Sequence, residues 1–236
     1  MNTHALFPTT ICEFEYDKSS EFKENLWEVA LSHIKDGYSN ETNAPYLHHE
    51  GKLRDIYAFI TKSIKEYLSV FNISLEDLDF HISKSYFNLV DKLPNPKHHH
   101  LDSHMSFIYY AHIPDDVEFD IKFFARDMPQ PHSSFFDIFS KGWNWHNSSS
   151  WVLKSTEGCL FLFPGSVVHE VVPLNDITSP EKNTPVHTLE DLKKMRISIA
   201  GDGMFTFKHM YQATRTHGVH PISTWKTFPA PEAAQL

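Results

Sequence analysis

Lys97-His98-His99-His100-Leu101-Asp102-Ser103-His104-Met105-Ser106-Phe107-Ile108-Tyr109-Tyr110 runs from a cluster of ligand-type side chains straight into an apolar, strand-prone segment. Within it His100 and Asp102 stand two residues apart, so on extended backbone both side chains point to one face. An imidazole beside a carboxylate supplies two of the three ligands of a 2-His-1-carboxylate metal site, which leaves coordination positions open for other molecules. The third ligand is expected from His169, because Leu162-Phe163-Pro164-Gly165-Ser166-Val167-Val168-His169-Glu170-Val171-Val172 is a strand-like run interrupted by a turn. Farther on, Arg196-Ile197-Ser198 puts a cation and a hydroxyl on one face of another strand.

Outward from this stretch, short alternating segments recur. Residues 80–90, 105–112, 117–126, 151–154, 159–163, 167–172, 195–200 and 204–207 read as strands. Gly201-Asp202-Gly203 reads as a turn or bulge between the last two. Residues 11–16 alternate like a strand that pairs at a sheet edge. Before the main run, Phe22, Leu26, Val29, Ala30 and Ile34 recur at helical spacing, with Ser19 or Ser20 as N-cap and Asp36-Gly37 as the stop. A second amphipathic face follows in Leu53, Ile56, Tyr57, Ile60, Ile64, Leu68 and Phe71. Short strands after two helices predict a mainly β fold with flanking helices: a double-stranded β-helix, or jelly-roll, cupin-like core of two packed sheets with the helices against one of them. A single domain is expected over 1–236, with an N-terminal strand and supporting helices in 1–78, the core in 79–210 and an extension in 211–236.

Composition narrows the function classes. An apolar fraction of 41% with 19 phenylalanines supplies a core, and no run approaches the roughly 18 apolar residues of a membrane span. The first ten residues lack the basic and apolar pattern of a signal peptide, so a soluble, cytoplasmic protein is expected. Cys12 and Cys159 lie far apart, which argues against a disulfide framework. The formal charge of −9 and the scattered lysines argue against an extended phosphate-binding surface, so nucleic acid is not the expected partner.

The ordered set His100-x-Asp102, then His169, then Arg196-x-Ser198 resembles the Fe(II)- and 2-oxoglutarate-dependent oxygenases. The resemblance covers roughly residues 80 to 208, and Phe107-Ile108-Tyr109-Tyr110 looks most like the prolyl-hydroxylase-like branch. It implies Fe(II) held by His100, Asp102 and His169, with 2-oxoglutarate and dioxygen as cosubstrates and ascorbate as a further candidate. It also implies that Arg196 and Ser198 bind the far carboxylate of the keto acid, where a guanidinium fork suits bidentate pairing. Of Tyr109 and Tyr110, which alternate faces, one points inward and supplies a further donor. Tyr86 and Asn88, on the preceding strand, are candidates to line the same pocket. The implied reaction is hydroxylation of a protein or peptide side chain, proline among them, or of an amino-acid-like small molecule, with 2-oxoglutarate decarboxylated to succinate.

Two features stand against the simplest form of this reading. The 27 residues from His169 to Arg196 are a long connection for such a protein, which leaves Arg126 and Arg215 as alternative anchors. His98 and His100 also form a His-x-His pair, as in cupin-type metal-dependent dioxygenases and isomerases that do not use 2-oxoglutarate. That class usually adds a glutamate a few residues later, and none lies between His100 and Glu118. A non-catalytic metal-binding module is the third reading. The polar segments 127–150 and 174–194, which offer no continuous apolar face, are candidates for a mobile lid, and Trp143, Trp145 and Trp151 for the lining of a substrate cleft.

Overall fold

Two antiparallel sheets face each other, and alternation along each strand decides which side chains lie between them. The computed structural model describes residues 9–17, 20–35, 46–117, 119–125, 142, 148–173, 183–211, 214 and 218–226. In chain order the strands are β1 (Cys12–Glu15), β2 (Leu78–Val90), β3 (Met105–His112), β4 (Phe119–Phe124), β5 (Ser150–Leu153), β6 (Cys159–Pro164), β7 (His169–Pro173) and β8 (Arg196–Phe207). Helices α1 (Ser20–Lys35) and α2 (Arg54–Ser69) precede the main run, and a short α3 (Leu189–Leu192) lies before β8. The larger sheet has the order β1-β6-β3-β8-β2 and the smaller β5-β4-β7. This is the expected mainly β, jelly-roll architecture, with the N-terminal strand at a sheet edge.

The larger sheet is covered on both faces. On β3, Met105, Phe107, Tyr109 and Ala111 pack with Leu26, Ile56, Ile60 and Ile64 of α1 and α2. Ile108 and Tyr110 point the other way and meet Ile121, Phe123, Phe161 and Phe163 between the sheets. The same division holds for Leu160 and Leu162 against Cys159, Phe161 and Phe163 on β6. Double coverage explains why β6 is a continuous apolar run in the sequence. Each fully buried side chain of this size contributes roughly 1.5–3 kcal/mol. Cys12 and Cys159 are both free, and among the described residues no helix is long and apolar enough to cross a membrane.

Two expectations change. Gly201-Asp202-Gly203 is not a turn; β8 runs through it without a break, and the irregularity falls on β2, between Ile82 and Lys84. These glycines answer a packing need: a Cβ at Gly201 would strike the Phe107 ring and stand 2.7 Å from the Lys84 carbonyl oxygen, and one at Gly203 would strike Phe80. The second change concerns the insertion before β8. Asn183 Oδ1 accepts the backbone N–H groups of Asp91, Lys92 and Leu93 at 3.2, 3.1 and 2.8 Å. Thr188 and Asp191 form a reciprocal capping box on α3. Leu192 is fully buried, with Val186 and Leu189 packed on the helix-side core. From residue 183 onward the segment is therefore pinned to the core, where a mobile lid was expected. Residues 174–182 of that segment lie outside the described residues, as do 126–141 and 143–147 with Trp143 and Trp145.

Candidate metal centre

Backbone pairing brings the histidines together. His98 and His169 exchange N–H···O bonds in an isolated antiparallel bridge, both 2.9 Å. The His100 N–H donates to the Gly165 carbonyl at 2.8 Å, and the Gly165 N–H to the His104 carbonyl at 3.2 Å. The stretch before β3 is thus stitched along the β6–β7 turn. Gly165 permits the approach, since a Cβ there would strike the Ser103 hydroxyl and stand 2.6 and 2.8 Å from the carbonyl oxygens of Ser103 and His100. Those are backbone atoms that cannot swing aside. Gly165→Ala is therefore expected to cost roughly 1–3 kcal/mol of stability in urea denaturation, and to lower metal affinity because the His100 turn must shift.

The ligand atoms of His98, His100 and His169 lie within 4.8 Å of one another. The His100 and His169 rings stack at 5.3 Å and 12°, and the His98 and His169 centroids are 4.3 Å apart. Each Nδ1 already has an acceptor. His98 Nδ1–H donates to the Pro96 carbonyl at 2.6 Å, His169 Nδ1–H to the Val167 carbonyl at 2.9 Å, and His100 Nδ1 lies 3.0 Å from the carboxylate oxygen Oδ2 of Asp202. A carbonyl or carboxylate only accepts, so each Nδ1 carries the proton and each Nε2 keeps a free lone pair. This outer-shell pattern is that of metal-binding histidines. Burial lowers the pKa of His98 and pushes that of His169 down to about 4, against the opposing pull of the Val167 carbonyl. At neutral pH both rings are uncharged, as a ligand requires.

Asp102 stands apart from this cluster. Its side chain is 74% exposed, with Oδ2 3.5 Å from Lys84 Nζ. Residues 101–102 form a turn, so the alternation that puts positions two apart on one face does not hold for His100 and Asp102. The buried carboxylate beside the imidazoles is Asp202, 1% exposed, which accepts from Ser106 Oγ at 2.5 Å and is ion-paired with Lys84 Nζ at 2.9 Å. Burial alone would raise its pKa, but the hydrogen bonds from His100, Ser106 and Lys84 outweigh this and hold it at about 2. Reading 201–203 as a turn hides this residue. A strand carried through from Arg196 puts Asp202 on the face of Arg196 and Ser198, six and four residues away.

That face forms an ordered lattice across β2, β8 and β3. Lys84, Asp202 and Ser106 make one row; Tyr86, Ala200 and Ile108 the next; Asn88, Ser198 and Tyr110 the third; Val90 and Arg196 the last. A cavity of about 20 Å³ opens among His98, His100, His169, Tyr86, Asn88 and Ala200, enough for an ion or one water molecule. At the far end Arg196 is 2% exposed. Its Nη2 donates to Ser155 Oγ at 3.4 Å, its guanidinium lies 4.6 Å from the Tyr110 ring centroid, and its Nε has no hydrogen-bond partner among the described residues. Ser155 is itself fixed by donating its backbone N–H to Asp120 at 2.8 Å. Tyr110 is the inward member of the tyrosine pair, and burial pushes its phenol up in pKa. Tyr109 points to the helices, edge-on to Tyr16 and Phe22. Arg126 and Arg215 lie outside the described residues.

A family model described as "Putative 2OG-Fe(II) oxygenase" matches residues 89–179, the segment that carries all three histidines. Over that segment, less than half of its length, the chain is similar to the Fe(II)- and 2-oxoglutarate-dependent oxygenases. The non-heme alpha ketoglutarate dependent epimerase SnoN from nogalamycin biosynthesis superposes with a TM-score of 0.51 at 11% identity, over 97% of this chain and 91% of that chain. That likeness is one of fold. Looser matches include a Pseudomonas putida prolyl-4-hydroxylase, with TM-score 0.46, 14% identity and coverage of 82% and 86%. EctD from S. alaskensis, solved with 2-oxoglutarate and 5-hydroxyectoine, gives 0.47, 10%, 83% and 72%. No curated protein matches the chain. The matched family is one of Fe(II) oxygenases, and the donor set fits a divalent transition metal: three convergent imidazoles, each with a polar neighbour at Nδ1.

Proposed function

We propose that this protein is an Fe(II)- and 2-oxoglutarate-dependent dioxygenase in which His98, His100 and His169 hold the iron and Arg196 receives the distal carboxylate of the keto acid. The reading rests on one observation above all: a buried guanidinium with no carboxylate partner among the described residues, on the sheet face whose Tyr86, Asn88 and Ala200 line a cavity with the imidazole cluster. A buried charge left unpaired is costly, and a bound dicarboxylate supplies the missing counter-ion. Bound iron would supply the activation of dioxygen, so that 2-oxoglutarate and O2 become succinate and CO2 while one oxygen atom enters a substrate C–H bond.

The chain's own residues orient and shield. Ser155 and the Tyr110 ring fix the guanidinium plane, Asn88 and Ser198 offer polar groups beside Tyr110, and the Phe161–Phe163 wall keeps water from the space between the sheets. For the substrate we favour a protein or peptide side chain, proline among the candidates, or an amino-acid-like small molecule. The three-imidazole set supports a second reading, a cupin-type metal-dependent dioxygenase or isomerase that makes no use of 2-oxoglutarate.

One experiment separates the two. Protein loaded anaerobically with Fe(II) and 2-oxoglutarate is exposed to oxygen, and succinate is measured with and without candidate substrates. The first reading expects succinate that depends on both iron and the keto acid, with a slow rate in the absence of substrate. Metal-dependent oxygen uptake that is indifferent to 2-oxoglutarate would select the second.

A further inference from the structure

We infer that Asp202 supplies, one imidazole removed, the carboxylate that a 2-His-1-carboxylate site carries on its metal, and so acts as the positioning and charge-compensating residue of His100. The inference rests on the imidazole ligand set proposed above. Its geometry is direct: Asp202 Oδ2 lies 3.0 Å from His100 Nδ1. A carboxylate there fixes the tautomer, aims Nε2 inward and makes the ring a stronger donor.

Charge gives the same answer. Three neutral imidazoles leave a divalent ion's charge whole, whereas two imidazoles and a carboxylate halve it. Lys84 bridges Asp102 at 3.5 Å and Asp202 at 2.9 Å. The buried Asp202 carboxylate places one negative charge an imidazole away from the ion, shared with the Lys84 ammonium.

Rigidity distinguishes the two aspartates. Asp202 sits on a central strand, cross-strand from Ser106 on β3 and Lys84 on β2, and both neighbours donate to it. Asp102 rides on an exposed turn. A ligand-orienting group is useful only where its own position is locked, and only Asp202 meets that condition.

Co(II) titration under anaerobic conditions, read by its d–d absorption, tests the inference in the full chain. Asp202→Ala is expected to bind Co(II) about 10- to 100-fold more weakly than the wild type. Asp202→Asn keeps an oxygen acceptor for the Nδ1–H but loses the charge; it is expected to fall between the two with an unchanged band shape, since the ligands stay the same. In the proton NMR spectrum, the downfield Nδ1–H resonance of His100 is expected to vanish in Asp202→Ala while those of His98 and His169 persist, a change that a merely structural role would not produce. An Asp202→Ala protein with wild-type Co(II) affinity overturns the inference. Should Asp202→Ala not fold, wild-type affinity in Asp202→Asn overturns the charge compensation instead. A Co(II) isotherm unchanged by His169→Ala is a separate failure, because it removes the imidazole set itself.

Discussion

His98→Ala is expected to weaken Co(II) or Mn(II) binding by about 100-fold or more, whereas Asp102→Ala should change it by less than about threefold. Four-ligand structural zinc sites bind with roughly 10–16 kcal/mol, about 3 kcal/mol per ligand, and 3 kcal/mol corresponds to somewhat over 100-fold in affinity. His98 contributes one of three convergent imidazoles, so its loss should carry a penalty of that order. Asp102 is largely solvated, with Lys84 as its ionic partner among the described residues, and exposed pairs of this kind contribute at most about 1 kcal/mol. The fold should survive His98→Ala, because the bonds that hold this position to His169 run through the backbone. Isothermal titration with circular dichroism as the folding control decides the matter. The reverse ranking, with Asp102→Ala severe and His98→Ala mild, would restore the His100, Asp102, His169 set expected from the sequence pattern.

Arg196→Met should raise the dissociation constant for 2-oxoglutarate by about ten- to a hundredfold, the loss of a charge-assisted hydrogen-bonded pair worth roughly 1.5–3 kcal/mol. Without 2-oxoglutarate, the same variant should melt at or above the wild-type temperature. The guanidinium is buried and has no carboxylate partner among the described residues. Its contacts are the Ser155 hydroxyl and the rings of Tyr110 and Phe119. Cation–π contacts return up to about 2 kcal/mol, while desolvating an ion costs several, so an apolar chain of similar length relieves more than it loses. In the wild type, with Mn(II) saturating, 2-oxoglutarate at 100 times its dissociation constant should add about 2.7 kcal/mol, or roughly 5–10 °C for a chain of this size. Arg196→Met should lose most of that rise. A large fall in melting temperature of the ligand-free variant would make Arg196 a structural residue.

Much of this protein was legible in its sequence because local rules govern it. Short apolar, strand-prone runs bounded by turn residues locate β3, β6 and β7 within a residue or two, and three-to-four spacing locates α1 and α2. Those patterns are local. Order along the chain was enough to single out His100, His169, Arg196 and Ser198, all of which the fold turns toward the space between the sheets or its rim.

The tertiary structure decided what depends on contacts between distant segments. Spacing puts His100 and Asp102 on one face only if the backbone is extended, and the turn at 101–102 breaks that condition. His98 joins His169 through a bridge across 71 positions (98 to 169), a pairing that no local pattern encodes. Gly201 and Gly203 look like turn residues in isolation, yet they are small because Phe107 and Phe80 lie over them. The strand therefore continues, and Asp202 comes to face His100. The choice of Tyr110 over Tyr109 likewise waited on which face of β3 the helices cover. Short-range propensity sets where strands form; which carboxylate meets which imidazole is set by register, and register is a property of the assembled sheet.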